Sequence, residues 1–224
     1  GIECLLDAIV DLLPDASETR VRLAEGGTEP PGELPLSVLV FKSISDPFIG
    51  RLSYVRVFSG ELTADSHVWN VNKGIDERIG QLFHMRGKHQ EPITRAGVGD
   101  IAVIPKLVDV STGDTLTVKG DPVTIAPMVF PDPSFSAAIE PKSKADVDKL
   151  SSALQRMMEE DPTLHVRREE STGETIMSGL GESHVEIAVE RDEFKFTGNG
   201  KRGQVGIHPY FGGGGIPVRE LVPK

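Results

Sequence analysis

The chain changes its hydrophobic pattern twice. In GIECLLDAIVDLLP, residues 1–14, the apolar positions Ile2, Leu5, Leu6, Ile9, Val10, Leu12 and Leu13 recur at helical spacing, while Glu3, Asp7 and Asp11 line the opposite face. This predicts a surface helix with an apolar stripe to be covered, closed by Pro14. The Gly-, Pro- and Glu-rich stretch over 15–33 reads as a linker between modules. From residue 34 the period drops to two. The runs LSVLVFK, RLSYVRVF, SHVWNV, RIGQLFHM, VGDIAVI and TLTV are separated by turn residues and predict a small antiparallel β-barrel over 34–130. Gly60 stands between two alternating runs in FSGELTADSHVWN and is expected to turn a hairpin there.

Past Pro131 and Pro133 the pattern changes again. Phe135 to Glu140 predicts a strand, and Ser143 with Asp146 three residues on predicts a capped helix start. Val147, Leu150, Leu154, Met157 and Met158 give that helix one apolar face, and Asp161-Pro162 stops it. LHVRRE and ETIMSGL predict two strands turning at Thr172-Gly173, and a helix opening at Glu182 buries Val185, Ala188 and Val189. Strand, helix, strand, strand, helix over 131–194 is most of a ferredoxin-like split βαβ unit. Its last strand carries no clear signal: residues 195–224 read as a divergent Gly-rich tail, and Gly212 to Gly215 is not a strand-forming run. The expected fold class is therefore multi-domain β plus α+β, a small antiparallel barrel followed by a ferredoxin-like domain.

The 224 residues, 38% hydrophobic, suffice for two modest cores. No apolar run reaches the roughly 20 residues that cross a bilayer, and no basic segment leads into a signal-like run. The single cysteine, Cys4, cannot form an internal disulfide. A cytoplasmic protein without a membrane partner is expected. Gly1 already lies inside an apolar-periodic segment without a capping residue, so the chain reads as a fragment. The net charge of -10 opposes nucleic-acid binding by the chain as a whole, because phosphate binding needs clustered Lys and Arg. Its distribution weakens that objection. Residues 131–194 carry -8, whereas 34–105 carry +1 and include Arg51, Arg56, Lys73, Arg78, Arg86, Lys88 and Arg95. That segment can hold a local RNA-facing patch or ordinary solvated charges on alternating strand positions.

Ser183 and His184, adjacent in SGLGESHVEIAVER, raise the question of a nucleophile and its base. A nucleophile elbow needs glycine two residues before and after the serine; Gly181 meets the first condition, but Val185 occupies the second place. Successive helical residues also point about 100° apart, and no acid partner is identifiable. The stretch reads instead as a helix N-terminus with Glu182 near the positive end of the dipole. GNGKRG, residues 198–203, fits G-x-G-x-x-G, but no amphipathic helix follows it. A P-loop, G-x-x-x-x-G-K-[ST], is absent, and the six histidines lack metal-ligand spacing. No catalytic residue, cofactor or metal is expected in this chain.

Four stretches carry a resemblance. SDPFIGRLSYVRVFSGEL, GVGDIAVIPKLVDVSTGDTL, FPDPSFSAAIEPKSKADVDKLSSALQRMMEEDPTL and TGETIMSGLGESHVEI closely resemble, in order and spacing, the second and third domains of bacterial elongation factor G or a paralogue of it. Residues 1–14 look like the last helix of that family's GTPase domain. The resemblance implies a parent protein that is a ribosome-dependent GTPase acting in translocation or ribosome recycling. GTP and Mg are expected in its GTPase domain, which this chain lacks. It further implies that the barrel packs on that GTPase domain and touches small-subunit rRNA, while the ferredoxin-like domain relays nucleotide state toward ribosomal protein and the distal domains. The protein would be a monomer, and this chain would bind and couple rather than catalyse. Carried over by motif, Arg51 in PFIGRL together with Arg86, Lys88 and His89 are the expected ribosome contacts, and Gly179, Gly181, Glu182 and His184 form the expected coupling turn. Ser183 departs from the family's usual leucine, an apolar group expected to pack inward. The alternatives are a related ribosome-binding factor of release-factor or tetracycline-protection type and, remotely, a Ser/His hydrolase.

Overall fold

The structure, a computed structural model, describes residues 1–46, 49–87, 89–141, 147–170, 172–191 and 205–209. Two compact units divide it, Gly1–Met128 and Val129–Lys224. The first unit contains α1 (Ile2–Leu12), β1 (Val21–Arg22), β2 (Thr28–Glu29), β3 (Ser37–Asp46), β4 (Gly50–Ser59), β5 (Leu62–Thr63), β6 (Ser66–Asn70), β7 (Ile75–Ile79), β8 (Leu82–Arg86), β9 (His89–Ile93), β10 (Arg95–Ala96), β11 (Ile101–Pro105) and β12 (Thr115–Thr117). Eight of these strands form one antiparallel sheet in the order β7-β6-β12-β3-β4-β11-β8-β9. The short pair β5 and β10, with backbone bonds from Ala64 to Thr94 and from Asp65 to Gly80, joins the two ends of that sheet. The result is a barrel.

Alternation fills its interior. Val38 and Val40, Val55 and Val57, Ala102 and Ile104 point inward from neighbouring strands and meet Leu62, Val68, Ile79, Leu82 and Leu116 in one buried cluster. The β3–β4 hairpin carries an extra residue, Phe41, which interrupts the register between Val40 and Lys42.

Three expectations change here. Gly60 does not turn a hairpin, because β4 pairs with β3 and β11 while β6 pairs with β12 and β7. Gly60 is instead required by a positive φ of 72° and by Leu36, whose Cα would lie 2.9 Å from an added Cβ. The run RIGQLFHM is not one strand: it breaks at Gly80-Gln81 into the end of β7 and the start of β8. The stretch expected to be a linker folds onto the barrel. Val21 and Arg22 pair with Glu29 and Thr28, Val21 is buried with Leu39 and Ile125, and the Ser59 hydroxyl donates to the carbonyls of Pro31 and Leu34. Helix α1 keeps its predicted amphipathic pattern, but none of its residues is buried.

The second unit contains β13 (Phe135–Pro141), α2 (Val147–Glu160), β14 (His165–Arg168), β15 (Thr175–Gly179), α3 (Glu182–Arg191) and β16 (Val205–Pro209). Its antiparallel sheet has the order β14-β15-β13-β16, which completes the βαββαβ arrangement of a ferredoxin-like fold. Leu150, Ala153, Leu154 and Met157 of α2 and Val185, Ala188 and Val189 of α3 bury against Ala137, Ile139 and Met177. The fourth strand lies within the stretch expected to be a tail; Val205 to Pro209 pair with Pro141 to Ala137. The helix start expected at Ser143 and Asp146, the GNGKRG stretch and Gly212 to Gly215 lie outside the described residues.

Candidate functional site

The expected contact residues of the barrel fall into two places. Arg86 closes β8 and His89 opens β9 directly opposite it, with Gly87 at a φ of 60° in the turn between them. Both side chains are exposed, and Arg86 Nε lies 3.3 Å from Glu91 Oε2. Lys88 lies outside the described residues. Arg51 stands elsewhere. Tyr54 of β4 and Phe83 of β8 both face Val103 of β11, so β4 and β8 run in the same direction. Arg51 precedes Tyr54 by three positions and Arg86 follows Phe83 by three, which separates them by about 20 Å along the strands. Arg51 is also half-buried, and its carbonyl accepts the Lys106 N–H at 2.9 Å. The hairpin tip therefore gathers Arg86 and His89 and leaves Arg51 at the other end of the sheet.

The turn from β15 into α3 is more tightly built. The Gly181 carbonyl accepts the Val185 N–H at 3.2 Å as the first bond of the helix. His184 sits in the first helical turn with both ring nitrogens engaged. Nδ1 accepts the Leu180 N–H at 3.1 Å, and Nε2 lies 3.1 Å from Asp161 Oδ2. With Nδ1 accepting, the ring proton is on Nε2 and is donated to the carboxylate. Asp161 follows α2, and its Oδ1 accepts the Thr163 N–H at 2.9 Å and the Thr163 hydroxyl at 2.6 Å. Burial pushes the Asp161 pKa up, but the Thr163 hydroxyl and N–H and the His184 ring outweigh it and hold the carboxyl below its ordinary 3.8. One histidine thus ties the start of α3 to the end of α2.

Gly179 makes that approach possible. A Cβ there would stand 3.0 Å from Val185 Cγ2, 3.1 Å from His184 Nδ1 and 3.3 Å from Leu164 Cδ2. Gly181 has no atom within 4 Å of an added Cβ, and Glu182 is exposed at the helix start, where its charge complements the dipole. Ser183 is exposed as well, so this position does not pack inward as the family's leucine suggested. Neither nitrogen of His184 is left to serve Ser183 as a base.

Asp161 and Thr163 were missed as site residues, because Asp-Pro at a helix end signals only a stop. A second cluster was missed in the barrel. The buried Glu77 accepts the Asp109 N–H at 2.8 Å and the Val108 N–H at 3.3 Å, while Asp114 accepts from Asn70 Nδ2 and from the Ser111 N–H, both at 2.8 Å. Lys73 reaches Asp109 at 2.5 Å and Ser111 at 2.9 Å. These bonds clamp the loop between β11 and β12, and its sequence LVDVSTGD now has a structural reason. Among the described residues no group of three or more His, Cys, Asp or Glu could hold a metal ion, and no helix is long and apolar enough to cross a membrane.

A translation-factor type barrel followed by a ferredoxin-like unit defines the class of protein. Residues 35–119 match the family model described as Elongation factor G domain 2, and residues 130–199 match Elongation Factor G, domain III. Together they take in more than half of the chain, which carries domains II and III of the elongation factor G family. A solved crystal structure of a protein from Thermus thermophilus is 29% identical and aligns with a TM-score of 0.77 over 92% of this chain. The alignment spans 29% of that protein's length.

Proposed function

We propose that this chain supplies the ribosome-binding and coupling domains of an elongation factor G-like translational GTPase acting in translocation or ribosome recycling. The observation that carries the reading is the tandem match of residues 35–119 and 130–199 to consecutive domains of that family. The chemistry agrees with it. No P-loop occurs in the sequence, so GTP and Mg would be held by another domain of the parent protein, which would also pack against this barrel. The barrel's hairpin tip, with Arg86 and His89, is the element that would meet small-subunit rRNA. The Gly179 to His184 turn would pass displacement of α3 to α2 through the His184–Asp161 bond, toward ribosomal protein and the distal domains. The protein would act as a cytoplasmic monomer.

The test uses the full-length protein and purified small ribosomal subunits, with binding measured over a series of salt concentrations. Each phosphate contact removed should lower the magnitude of the log K against log salt slope by up to about one unit. Arg86→Ala is expected to do so, and Arg51→Ala, half-buried at the opposite end of the sheet, is expected to leave the slope unchanged. Parent protein that does not bind subunits at any salt concentration overturns the reading.

A further inference from the structure

A second cationic feature lies on the barrel, its cations Arg78 and Lys106 standing outside the β8–β9 hairpin. The outer surface holds a cleft of about 540 Å³, within the size range of small-ligand sites. Phe83 and Gln90 line it from one face of the β8–β9 hairpin, Gln81 from the residue before β8, Arg78 from β7, and Lys106 from the residue after β11. Arg78 and Lys106 are exposed and form no ion pair with any described residue, and neither glutamine side chain is hydrogen-bonded within the described structure. The lining's carboxylate, Glu77, is buried and spends its oxygens on the N–H groups of Val108 and Asp109.

Lys106 adds an independent observation. Its φ is 62°, one of two positive values among the described non-glycine residues. A lysine held in that conformation persists only where the surroundings impose it, and such outliers gather at ligand sites. The imposed geometry is visible: the Lys106 N–H donates to the Arg51 carbonyl at 2.9 Å, and Glu77 clamps the two residues that follow Leu107. An aromatic ring, two free amides and two free cations around one concavity fit a planar, hydrogen-bonding group that carries negative charge.

We propose that this cleft takes one unstacked RNA nucleotide, with its base against Phe83, its edge read by Gln81 and Gln90, and its phosphate held by Arg78 and Lys106. The inference rests on the reading that the barrel meets ribosomal RNA, and it places a base contact where that reading had only phosphate contacts at the hairpin tip.

The probe is a fluorescein-labelled, unstructured hexaribonucleotide, titrated against the full-length protein by fluorescence anisotropy across salt, beside the same oligonucleotide made abasic. Phe83→Leu keeps apolar bulk in a half-buried position. Lys106→Gly removes the cation while relieving the positive φ, so it folds at least as well as the parent. Phe83→Leu should weaken the hexamer about fivefold or more and leave the abasic form unchanged. Lys106→Gly and Arg78→Gln should each lower the salt slope by up to about 0.7. The proposal is overturned if both Phe83→Leu and Lys106→Gly bind the hexamer as the parent does, if the abasic form binds as tightly as the base-bearing one, or if a polyglutamate peptide competes equally against parent and Lys106→Gly. The two readings separate cleanly. If subunits bind in a salt-dependent way that Arg86→Ala alters and the cleft variants do not, the cleft is refuted and the proposed function stands; if subunits do not bind, the function fails and the hexamer titration still judges the cleft.

Discussion

Adding one methyl group at Gly179 probes the approach of β15 to α3. The new Cβ would meet Val185 Cγ2 at 3.0 Å, His184 Nδ1 at 3.1 Å and Leu164 Cδ2 at 3.3 Å, each closer than ordinary contact. None of the three can retreat freely. Val185 is fully buried, Leu164 is 4% exposed, and the His184 ring is held at both nitrogens. Overpacking of this kind costs about 1–3 kcal/mol. Because the φ of Gly179 is not positive, alanine also removes unfolded-state freedom, which returns about 0.4–1 kcal/mol. The net loss is about 1–2 kcal/mol, a factor of about 5–30 in the opening equilibrium. The one tryptophan, Trp69, lies on β6 in the barrel, so fluorescence would report the wrong unit. Native-state hydrogen exchange of β13 and β15 amides is the suitable assay, with Gly179→Ala losing protection by that factor. Gly181→Ala, with no atom within 4 Å, should stay within about 0.5 kcal/mol of the parent. Equal protection in the two variants, or none lost in Gly179→Ala, would refute the packing argument.

Three further outcomes are expected. Because the folded-state pKa of Asp161 is held below 3.8, its contribution to stability is present above that pH and is lost as pH falls through the lower folded value; the exchange protection of α2 and α3 should fall in that window, and Asp161→Asn should abolish the dependence. Glu77→Ala, which leaves the Asp109 N–H without its acceptor, should cost about 1–3 kcal/mol in urea unfolding followed by Trp69 fluorescence, and Glu77→Gln, which keeps one acceptor, should cost less. Calorimetry of this chain with GTP should show no micromolar binding, since it contains no P-loop lysine or magnesium-binding hydroxyl.

How much of this was legible in the sequence depended on how each element is buried. Strand β4, Gly50–Ser59, announced itself by the alternation of Val55 and Val57 with exposed or half-buried neighbours, β3 by its β-branched run although it buries Leu39 on the face opposite Val38 and Val40, and α2 by its spacing of Leu150, Leu154 and Met157. Strand β9, His89–Ile93, has no fully buried residue and contains Pro92, so neither period nor composition marked it. The hairpin misplacement at Gly60 has a similar cause. Alternating runs on both sides of a glycine look alike whether the glycine reverses the chain or carries it to another part of the barrel, and only the partner strand decides. Strand β16 draws its place from the open edge of β13 rather than from its own sequence. At the coupling turn, the glycines and His184 were visible as a motif, but Asp161 lies 23 residues from His184 and no local pattern joins them. The separation of Arg51 from Arg86 likewise follows from strand register, which a list of charged positions does not contain.

The most direct measurement of the central claim is GTP turnover by the full-length protein with and without ribosomes, for the parent and for His184→Ala. The account predicts slow turnover alone and stimulation by ribosomes, with His184→Ala keeping the basal rate and losing part of the stimulation because the tie to Asp161 is gone. A protein that hydrolyses no GTP, or does so at one rate whether or not ribosomes are present, would contradict it.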